Sequence, residues 1–336
     1  MDANTFMALT GQNLARASRS PDGDWSVEFL LADRDVRCLA GDPLNPKTVY
    51  AGIQGHGVLR SNDGGRSWQP AGLAGRVVKA LAASRAQPGT VYAGVKPPGL
   101  FVSRDGGDTW GEIESFQRVR SRWWFSPAES DLKAYVQGIA LSPTDPNVIV
   151  IGIEAGAVVR TADGGQTWEG HRPGAVRDCH SLVAHATNGD WMYEGGGTGA
   201  GAAFSRDGGQ TWRQPRAGLD RHYGWAVAAD PARPEVWYVS LSPSPMKAHN
   251  DGHAEAYIFR SAGGAPWQKL ALSEAEGGLP QPLNHMPYAL LTDPAAPGHL
   301  YTGLSNGEVW HSTDHGDTWK QLPFNLAGIH RTLIML

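Results

Sequence analysis

Four histidines stand at or just before short apolar runs, from which side chains of separate strands can meet. They are His180 in CHSLVA, His222 in HYGWAVA, His285 in HMPYALL and His330 in HRTLIML. Converging imidazoles bind divalent metals such as zinc or manganese, and a single imidazole serves as an acid or base near neutral pH. We therefore expect His180, His222 and His285 to hold a metal, with Gln137, Asp178 or His330 as a further ligand, or to be catalytic acids and bases.

Cationic and amide side chains occupy the equivalent position in other apolar runs, two residues before the first central aliphatic. In the alignment of the seven runs, this position is occupied by His180 and by Arg37, Lys79, Gln137, Gly224, Pro287 and Arg331. Arg177 lies just upstream of one run. Guanidinium groups grip carboxylates and phosphates through paired hydrogen bonds. Arg37, Lys79, Gln137, Arg177 and Arg331 are therefore expected to bind a small anionic ligand, without a metal in this alternative.

Carboxylates offer a third kind of chemistry. Cleavage of a glycosidic bond generally needs an acid paired with a base or nucleophile a few ångströms away. Glu154 and Glu194 are the candidate catalytic carboxylates, and Tyr223, beside His222, is a candidate for ligand binding. Their spacing does not single out one pair, so this role stays open beside the other two.

The elements that must position these residues are set by a recurring eight-residue signature. Its copies are SNDGGRSW at 61–68, SRDGGDTW at 103–110, TADGGQTW at 161–168, SRDGGQTW at 205–212 and STDHGDTW at 312–319. An Asp carboxylate can accept backbone N–H groups inside a tight turn, and glycine permits the positive φ that such a turn requires. We interpret the signature as structural, with its Trp packed between neighbouring units.

The signature closes a longer unit that predicts a β-propeller. Each unit holds an apolar run, a turn, a VYAG-like strand and a GVxRS-like strand before the signature. The units repeat every 40 to 60 residues or so, as expected for four-stranded propeller blades. In such a fold the first strand of every blade lines the central channel, so the runs that follow the candidate residues converge there.

The signature resembles the Asp-box, or BNR repeat, of sialidases, sortilin-type receptors, xyloglucanase-like glycosidases and photosystem assembly factors. Propeller lyases similar to this layout hold a metal by histidines on the channel axis. The photosystem-assembly branch resembles the chain in blade number and size, which implies protein binding. Sialidase activity is not expected, because sialidases have six blades and an Arg-Ile-Pro motif that this sequence lacks.

Degenerate copies complete the ring. SAGGAPW at 261–267 keeps the Ser and Trp of an eroded signature, and SPDGDW at 20–25 is a shortened one. The blade at the N-terminus lacks its first strand, and HRTLIML at the C-terminus matches the first-strand pattern. We predict one all-β domain over residues 1–336, a propeller of seven four-stranded antiparallel blades. Its last blade combines residues 1–32 with 328–336, so pairing of the terminal strands closes the ring.

The composition argues against some classes of binding partner. The net charge of −4 does not indicate a basic surface that would bind nucleic acid. The chain shows no signal peptide and no apolar run long enough to span a membrane, so we expect a soluble, cytoplasmic protein without a membrane partner. Its two cysteines lie in different blades and are expected to be buried thiols rather than a disulfide.

Departures from the minimal repeat fall at 114–134, 243–255 and 273–285, all on the face where the inner strands begin. Loops elaborated on a rigid scaffold are where binding sites accumulate. The first insertion alternates Arg118, Arg120 and Arg122 before Trp123 and Trp124. Such aromatics can stack on a sugar or a partner protein, or pin the loop to the propeller. The second insertion is interpreted as a mobile loop, a lid, or a second weak metal site.

Taken together, these features predict binding of a small anionic or sugar-like ligand at one rim of the channel. The enzymatic version is a metal- or histidine-assisted lyase or hydrolase reaction on a carboxylate-bearing substrate, with zinc or manganese as the cofactor. The alternative is a non-enzymatic propeller that binds a protein partner through Trp123, Trp124 and the arginines. The sequence leaves open whether the chain is an enzyme.

Overall fold

The chain folds into seven antiparallel sheets arranged around a central channel. A computed structural model describes residues 5–10, 13–121, 123–127, 129–270 and 278–336. Within these ranges the helices are a 3₁₀ turn, Glu114–Arg118, and a single α-helical turn, α1, Pro245–Ala248. In the described part of the chain neither helix has the length or the apolarity needed to cross a membrane.

The strands follow the chain blade by blade. Blade 7 begins with β1 Thr5–Leu9, β2 Leu14–Arg19 and β3 Trp25–Leu30. Blades 1 and 2 contain β4 Val36–Asp42, β5 Asn45–Ile53, β6 Gly57–Ser61, β7 Gln69–Pro70, β8 Val77–Ala83, β9 Val91–Lys96, β10 Gly99–Ser103 and β11 Gly111–Glu112. Blades 3 and 4 contain β12 Val136–Leu141, β13 Ile149–Ile153, β14 Val158–Thr161, β15 Cys179–Ala184, β16 Met192–Gly196 and β17 Ala202–Ser205. Blades 5 and 6 contain β18 Tyr223–Ala229, β19 Val236–Ser242, β20 Tyr257–Ala262, β21 Gln268–Lys269, β22 Pro287–Thr292, β23 Leu300–Leu304, β24 Glu308–Ser312 and β25 Lys320–Asn325. Strand β26, Leu333–Met335, returns to blade 7.

Blades 3 and 4 carry shortened outer edges. In both, the fourth strand is reduced to a single antiparallel bridge, Arg160 with Glu169 in blade 3 and Phe204 with Arg213 in blade 4. Elsewhere the fourth strand pairs as a regular element. The predicted fold, a propeller of seven antiparallel blades, is confirmed.

The ring is closed by the two ends of the chain, as predicted. Strand β26 pairs with β1 through Met335 and Phe6, Ile334 and Met7, and Leu333 and Ala8. The resulting sheet has the order β26-β1-β2-β3. This pairing supplies blade 7 with the inner strand that its N-terminal part lacks. Residues 1–4 and 11–12 of the predicted blade lie outside the described residues.

The core consists of seven apolar clusters, as far as the described residues show, and each cluster fills the space between two neighbouring blades. Cys38 lies in the cluster between blades 1 and 2, and Cys179 in the one between blades 3 and 4. Both thiols are buried and unpaired, as expected. Burial of this apolar surface stabilises the ring and holds the inner strands in place.

The signature turns form the face opposite the inserted loops, and their aspartates are satisfied locally. In blade 4, Asp207 Oδ1 accepts the Ser205 hydroxyl and the Thr211 N–H, both at 2.8 Å. Asp207 Oδ2 accepts the Thr211 hydroxyl at 2.5 Å. The same pattern recurs at the other signature aspartates, Asp63, Asp105, Asp163 and Asp314.

The signature tryptophans join neighbouring blades. Trp110 Nε1 of blade 2 donates to the Ala71 carbonyl of blade 1 at 2.7 Å. In the eroded copy, Trp267 Nε1 of blade 5 donates to the Pro215 carbonyl, which follows blade 4, at 2.9 Å. The eroded copy has therefore kept the inter-blade function of its Trp after losing its Asp.

Candidate functional site

In blades 1 to 6 a β-bulge near the start of the inner strand selects the residue that faces the channel, whereas the inner strand of blade 7 pairs without such a shift. The pairing register shifts around Arg37 in β4, Lys79 in β8, Gln137 in β12 and His180 in β15. A bulged residue drops out of the ladder, and its side chain is redirected. The same shift surrounds Trp225 and Ala226 in β18 and Tyr288 in β22.

One residue from every blade thus lines a single cavity of about 280 Å³ at the channel mouth. This set, the channel ring, comprises Arg37, Lys79, Gln137, His180, Trp225, Tyr288 and Arg331. In blades 5 and 6 the sequence alignment is wrong by one residue, because it placed Gly224 and Pro287 here. Counting back two residues from Val227 and Leu290, as in the other blades, would have identified Trp225 and Tyr288.

Arg331 is a half-buried cation of the ring. Its guanidinium donates to Gln137 Oε1 at 3.1 Å and to the Tyr135 hydroxyl at 3.3 Å, and Gln137 Nε2 in turn donates to the His180 carbonyl at 2.9 Å. No carboxylate forms an ion pair with Arg331 within the described part of the chain. Burial opposes its charge, but Tyr135 and the more distant Glu154 keep the pKa of Arg331 above its ordinary value.

The other two cations of the ring are paired. Lys79 Nζ contacts Glu129 Oε1 at 2.6 Å, and Lys96 Nζ contacts Glu129 Oε2 at 2.5 Å. Burial lowers the pKa of Lys79 despite this carboxylate. Arg37 contacts Asp35 at 2.6 Å, while Arg37 Nε is buried with no hydrogen-bond partner in the described part of the chain. Glu129 belongs to the 114–134 insertion, so this insertion places a carboxylate next to the channel lysine. The sequence analysis did not predict this contact.

Opposite these cations, Glu154, Asp178 and His180 form a compact group. One donor atom from each lies within 4.8 Å of the other two. His180 Nδ1 lies 2.7 Å from the Gly224 carbonyl oxygen, and His180 Nε2 lies 3.5 Å from Asp178 Oδ2. The other oxygen, Asp178 Oδ1, accepts the Ala155 N–H at 3.2 Å.

The three groups of this cluster have divergent proton affinities. Burial raises the pKa of Glu154, and the neighbouring His180 only partly offsets this rise. Burial would raise the pKa of Asp178 too, but the hydrogen bond and charge of His180 hold it below its ordinary value. The Asp178 carboxylate in turn raises the pKa of His180 against the effect of burial. The cluster therefore combines an acid whose pKa is raised with a hydrogen-bonded imidazole–carboxylate pair, and such a separation of pKa values is what acid–base chemistry uses.

Gly197 gives Asp178 the room it occupies. A Cβ at position 197 would overlap Asp178 Oδ2 and lie 3.1 Å from His180 Cε1. Gly197 belongs to the loop GGGTGAG, from which the sequence offered no chemistry. Its contribution is the absence of a side chain beside the cluster.

His249, from the second insertion, packs against Trp225 and Tyr288, which are the two aromatic residues of the cavity lining. Tyr223 OH lies 2.9 Å from His249 Nε2, His249 Nδ1 lies 2.8 Å from Tyr288 OH, and Tyr288 OH donates to the Ala248 carbonyl at 3.0 Å. This order makes Nδ1 the donor and Nε2 the acceptor of a neutral His249, whose pKa burial lowers. Tyr223 itself is buried and packs edge-on against His180 at 5.0 Å.

The four histidines predicted as metal ligands do not meet. In the described part of the chain, the group close enough to share one ion is Glu154, Asp178 and His180. His222 and His330 are exposed, and His285 Nδ1 is held by Asp251 Oδ1 at 2.7 Å, which also accepts the Ser305 hydroxyl at 2.9 Å. Only the histidine on a bulge, His180, is turned into the cavity.

Glu194 and Arg177 lie away from the cavity lining. Glu194 lies in the middle strand β16 and is fully buried between blades. Its Oε2 accepts the Val176 N–H at 2.8 Å, whereas Oε1 has no hydrogen-bond partner in the described residues. Burial raises the pKa of Glu194 well above its ordinary value. Arg177 is exposed outside the ring.

The two adjacent tryptophans of the first insertion have different environments. Trp124 packs against the cluster between blades 2 and 3 and pins the loop there. Trp123 is 74% exposed and Phe125 is 53% exposed. Arg122 and residues 273–277 of the third insertion lie outside the described residues. One tryptophan is therefore structural, while the other faces outward.

Comparison with known proteins supports the fold. No protein-family model and no curated protein matches the chain. An ancestral GH74 enzyme is 18% identical with a TM-score of 0.63, over 90% of this chain and 38% of that one. The GH74 enzyme of Niastella koreensis is 16% identical with a TM-score of 0.64, over 95% and 54%. A structure of YCF48 bound to D1 peptide is 16% identical with a TM-score of 0.56, over 86% and 82%. The chain thus spans less than two thirds of either GH74 enzyme, and these likenesses establish the propeller fold.

Proposed function

We propose that this chain is an Asp-box propeller that binds a small anionic ligand, a carboxylate-bearing or sugar-like acid, at its channel mouth. The observation that carries the proposal is Arg331. Its half-buried guanidinium lines the cavity and has neutral hydrogen-bond partners in the described part of the chain. A buried charge without an opposite charge is unfavourable, so a ligand carboxylate would complete this site.

The rest of the ring suits the same ligand. Arg37 offers a buried Nε that lacks a partner in the described residues, and Gln137 links the arginine side of the cavity to His180. Trp225 and Tyr288 add aromatic surface, against which a sugar ring can stack. A cavity of about 280 Å³ has the size of a monosaccharide site rather than a polymer cleft.

In its enzymatic form, the proposal assigns acid–base chemistry to His180 and Glu154. Arg331 and Arg37 would neutralise the substrate carboxylate, which makes an adjacent C–H proton easier to remove, as a lyase requires. His180, oriented by Asp178, would take up that proton at Nε2, and Glu154, whose pKa burial raises, would donate a proton to the leaving group. The other enzymatic form of this proposal is a hydrolase reaction, because GH74 enzymes are among the structural neighbours.

A second candidate function is peptide or protein binding by the first insertion. The observation that favours it is the outward-facing Trp123, which lies beside the exposed Phe125 and in the same loop as the exposed Arg118 and Arg120. YCF48, a structural neighbour that covers most of this chain, was solved bound to a D1 peptide. This surface lies outside the cavity lining, so the two functions can be separated by substitution.

Calorimetric titration tests the ligand class. Glucuronate and galacturonate are compared with glucose and galactose, which differ from them by the carboxylate alone. We expect the acids to bind and the neutral sugars to bind at least about tenfold more weakly, since a charge-assisted hydrogen bond contributes roughly 1.5–3 kcal/mol.

Arg331→Gln should abolish this preference for acids, whereas Arg177→Gln, the exposed control, should keep it. Trp123→Ala should leave acid binding unchanged and weaken only a peptide partner. The proposal is wrong if neither acid binds, or if Arg331→Gln binds the acids as tightly as the wild type does. Thermal melts of each variant confirm that the ring is intact.

A further inference from the structure

We propose that Glu154, Asp178 and His180 bind one divalent transition-metal ion beside the channel cavity, whose lining includes His180. Their donor atoms come from the loop after β13 and from the start of β15, in neighbouring blades 3 and 4, and lie within 4.8 Å of one another. The inference deepens the proposed function, because the ion would share the cavity with the ligand carboxylate. The anion-binding part of that function rests on Arg331 and Arg37, so the metal site can fail or succeed independently of it.

The Glu154 carboxyl group lacks a hydrogen-bond partner in the described part of the chain. The residue is only 6% exposed. A buried carboxyl group without a partner is destabilising. The neighbouring Asp178 carboxylate makes this worse unless a cation lies between them. Neither Arg331 nor Lys79 is within ion-pair distance of Glu154 in the described residues.

The orientation of His180 also supports the site. The Gly224 carbonyl oxygen, 2.7 Å from His180 Nδ1, can only accept a hydrogen bond, so Nδ1 carries the proton. A metal-binding histidine almost always donates its other ring N–H in this way, often to a backbone carbonyl. His180 Nε2 then faces Asp178 Oδ2 at 3.5 Å. A tilted ring contact with Trp225, with centroids 4.4 Å apart, holds the imidazole in that orientation.

The two carboxylate oxygens of Asp178 have different partners. Its Oδ1 accepts the Ala155 N–H, which leaves Oδ2 directed at His180. Donor atoms bound to one tetrahedral ion at about 2.1 Å are roughly 3.4 Å apart. The 3.5 Å between Asp178 and His180 already matches this separation, and a small rotation of Glu154 would bring in the third donor.

The donor set also indicates the kind of ion. Two carboxylates balance a charge of +2, and one imidazole favours zinc or manganese over calcium, which prefers oxygen ligands alone. Three protein donors leave further coordination positions open toward the cavity. A ligand carboxylate held by Arg331 lies in that same cavity, so the ion and the arginine can contact one anion.

Calorimetric titration of chelator-treated, ligand-free protein with ZnCl₂ and with MnCl₂ tests the site. We expect one ion per chain for at least one of the two metals. Glu154→Gln and His180→Gln should weaken its affinity at least about a hundredfold. The matched control is the second His–Asp pair of the rim, so His285→Gln and Asp251→Asn should bind the ion like the wild type.

Folding and ligand binding are controlled separately. Glu154→Gln removes a buried ionisable carboxyl group and keeps the shape, so its Tm without metal should equal or exceed that of the wild type. Arg331→Gln should keep the metal while it loses glucuronate, so failure of the carboxylate site would not imitate failure of the metal site. Absence of one-to-one binding, or binding that Glu154→Gln leaves intact, would overturn the inference.

Discussion

Blade 4 carries an aspartate at each of its ends, and the two are treated in opposite ways. Asp207, in the signature turn, accepts three hydrogen bonds from residues within four positions of it. Asp178, at the channel end, accepts one backbone N–H from another blade and faces a histidine and a second acid. The hydrogen bonds of the turn aspartate all come from its own segment. The channel aspartate lies instead beside polar groups whose hydrogen-bonding capacity is only partly used.

The difference separates acids that maintain the fold from acids positioned to bind a ligand. Hydrogen bonds lower the pKa of the signature aspartates, although burial partly opposes this at Asp207. Burial raises the pKa of Glu154 at the channel, because its carboxyl group has no hydrogen bond that would stabilise the charge. A protein tolerates such an unsatisfied group where binding can satisfy it. The two ends of the blade should therefore respond differently to the same substitutions.

The largest effect on folding should come from the turn. Asp207→Ala removes the acceptor of three hydrogen bonds and should destabilise the protein by about 1–3 kcal/mol, seen as a lower Tm. Binding of glucuronate should be unchanged, because Asp207 is on the opposite face. An unchanged Tm, or weaker glucuronate binding at constant stability, would contradict the claim that the turn aspartate stabilises the fold and does not bind the ligand.

A smaller effect is expected from crowding the channel end. Gly197→Ala places a methyl group against Asp178 Oδ2 and should weaken zinc or manganese binding about tenfold by displacing this carboxylate. The matched control is Gly170→Ala, where an added Cβ meets nothing within 4 Å. Equal metal affinities for the two variants, measured by calorimetric titration, would show that Asp178 need not be held where the structure has it.

The smallest effects are opposite pH dependences of stability, measured as Tm in the presence of a chelator. The pKa of Asp163 falls from 3.8 to about 2 because Thr167 and Thr161 donate to it. Its contribution is therefore complete above pH 3.8 and is lost as the pH falls toward 2, so Asp163→Asn should match the wild type only in strong acid.

Glu154 should show the reverse. Its folded pKa is raised above the ordinary 4.5, so the wild type loses stability as the pH rises from 4.5. The advantage of Glu154→Gln over the wild type should then grow with pH. A constant difference in Tm between these two proteins across that range would mean that Glu154 is not strained by its burial.

The fold could be predicted from the sequence because its determinants are local and repeated. Each signature contains the Ser or Thr, the Asp and the Trp that stabilise one turn, so five copies reveal the architecture. The C-terminal strand was recognisable because Leu333 and Ile334 continue the inner-strand pattern. Repetition made even the eroded turn at Trp267 identifiable.

The site was less predictable because it depends on bulges and on long loops. Alignment identified Arg37, Lys79, Gln137, His180 and Arg331, but one miscounted residue hid Trp225 and Tyr288. Nothing in the spacing indicated that Glu129 would reach Lys79 or that His249 would join two tyrosines. The predicted four-histidine site was likewise replaced by a cluster whose acids, Glu154 and Asp178, come from loops of adjacent blades.

The most direct test of this account makes one isosteric change at each end of blade 4. Metal binding and Tm are measured for Asp178→Asn and Asp207→Asn side by side. The account predicts that Asp178→Asn loses the ion with the smaller change in Tm, while Asp207→Asn keeps the ion and loses more stability. If both variants bind the ion like the wild type, or if Asp207→Asn is the one that loses it, the assignment of binding to the channel end is contradicted.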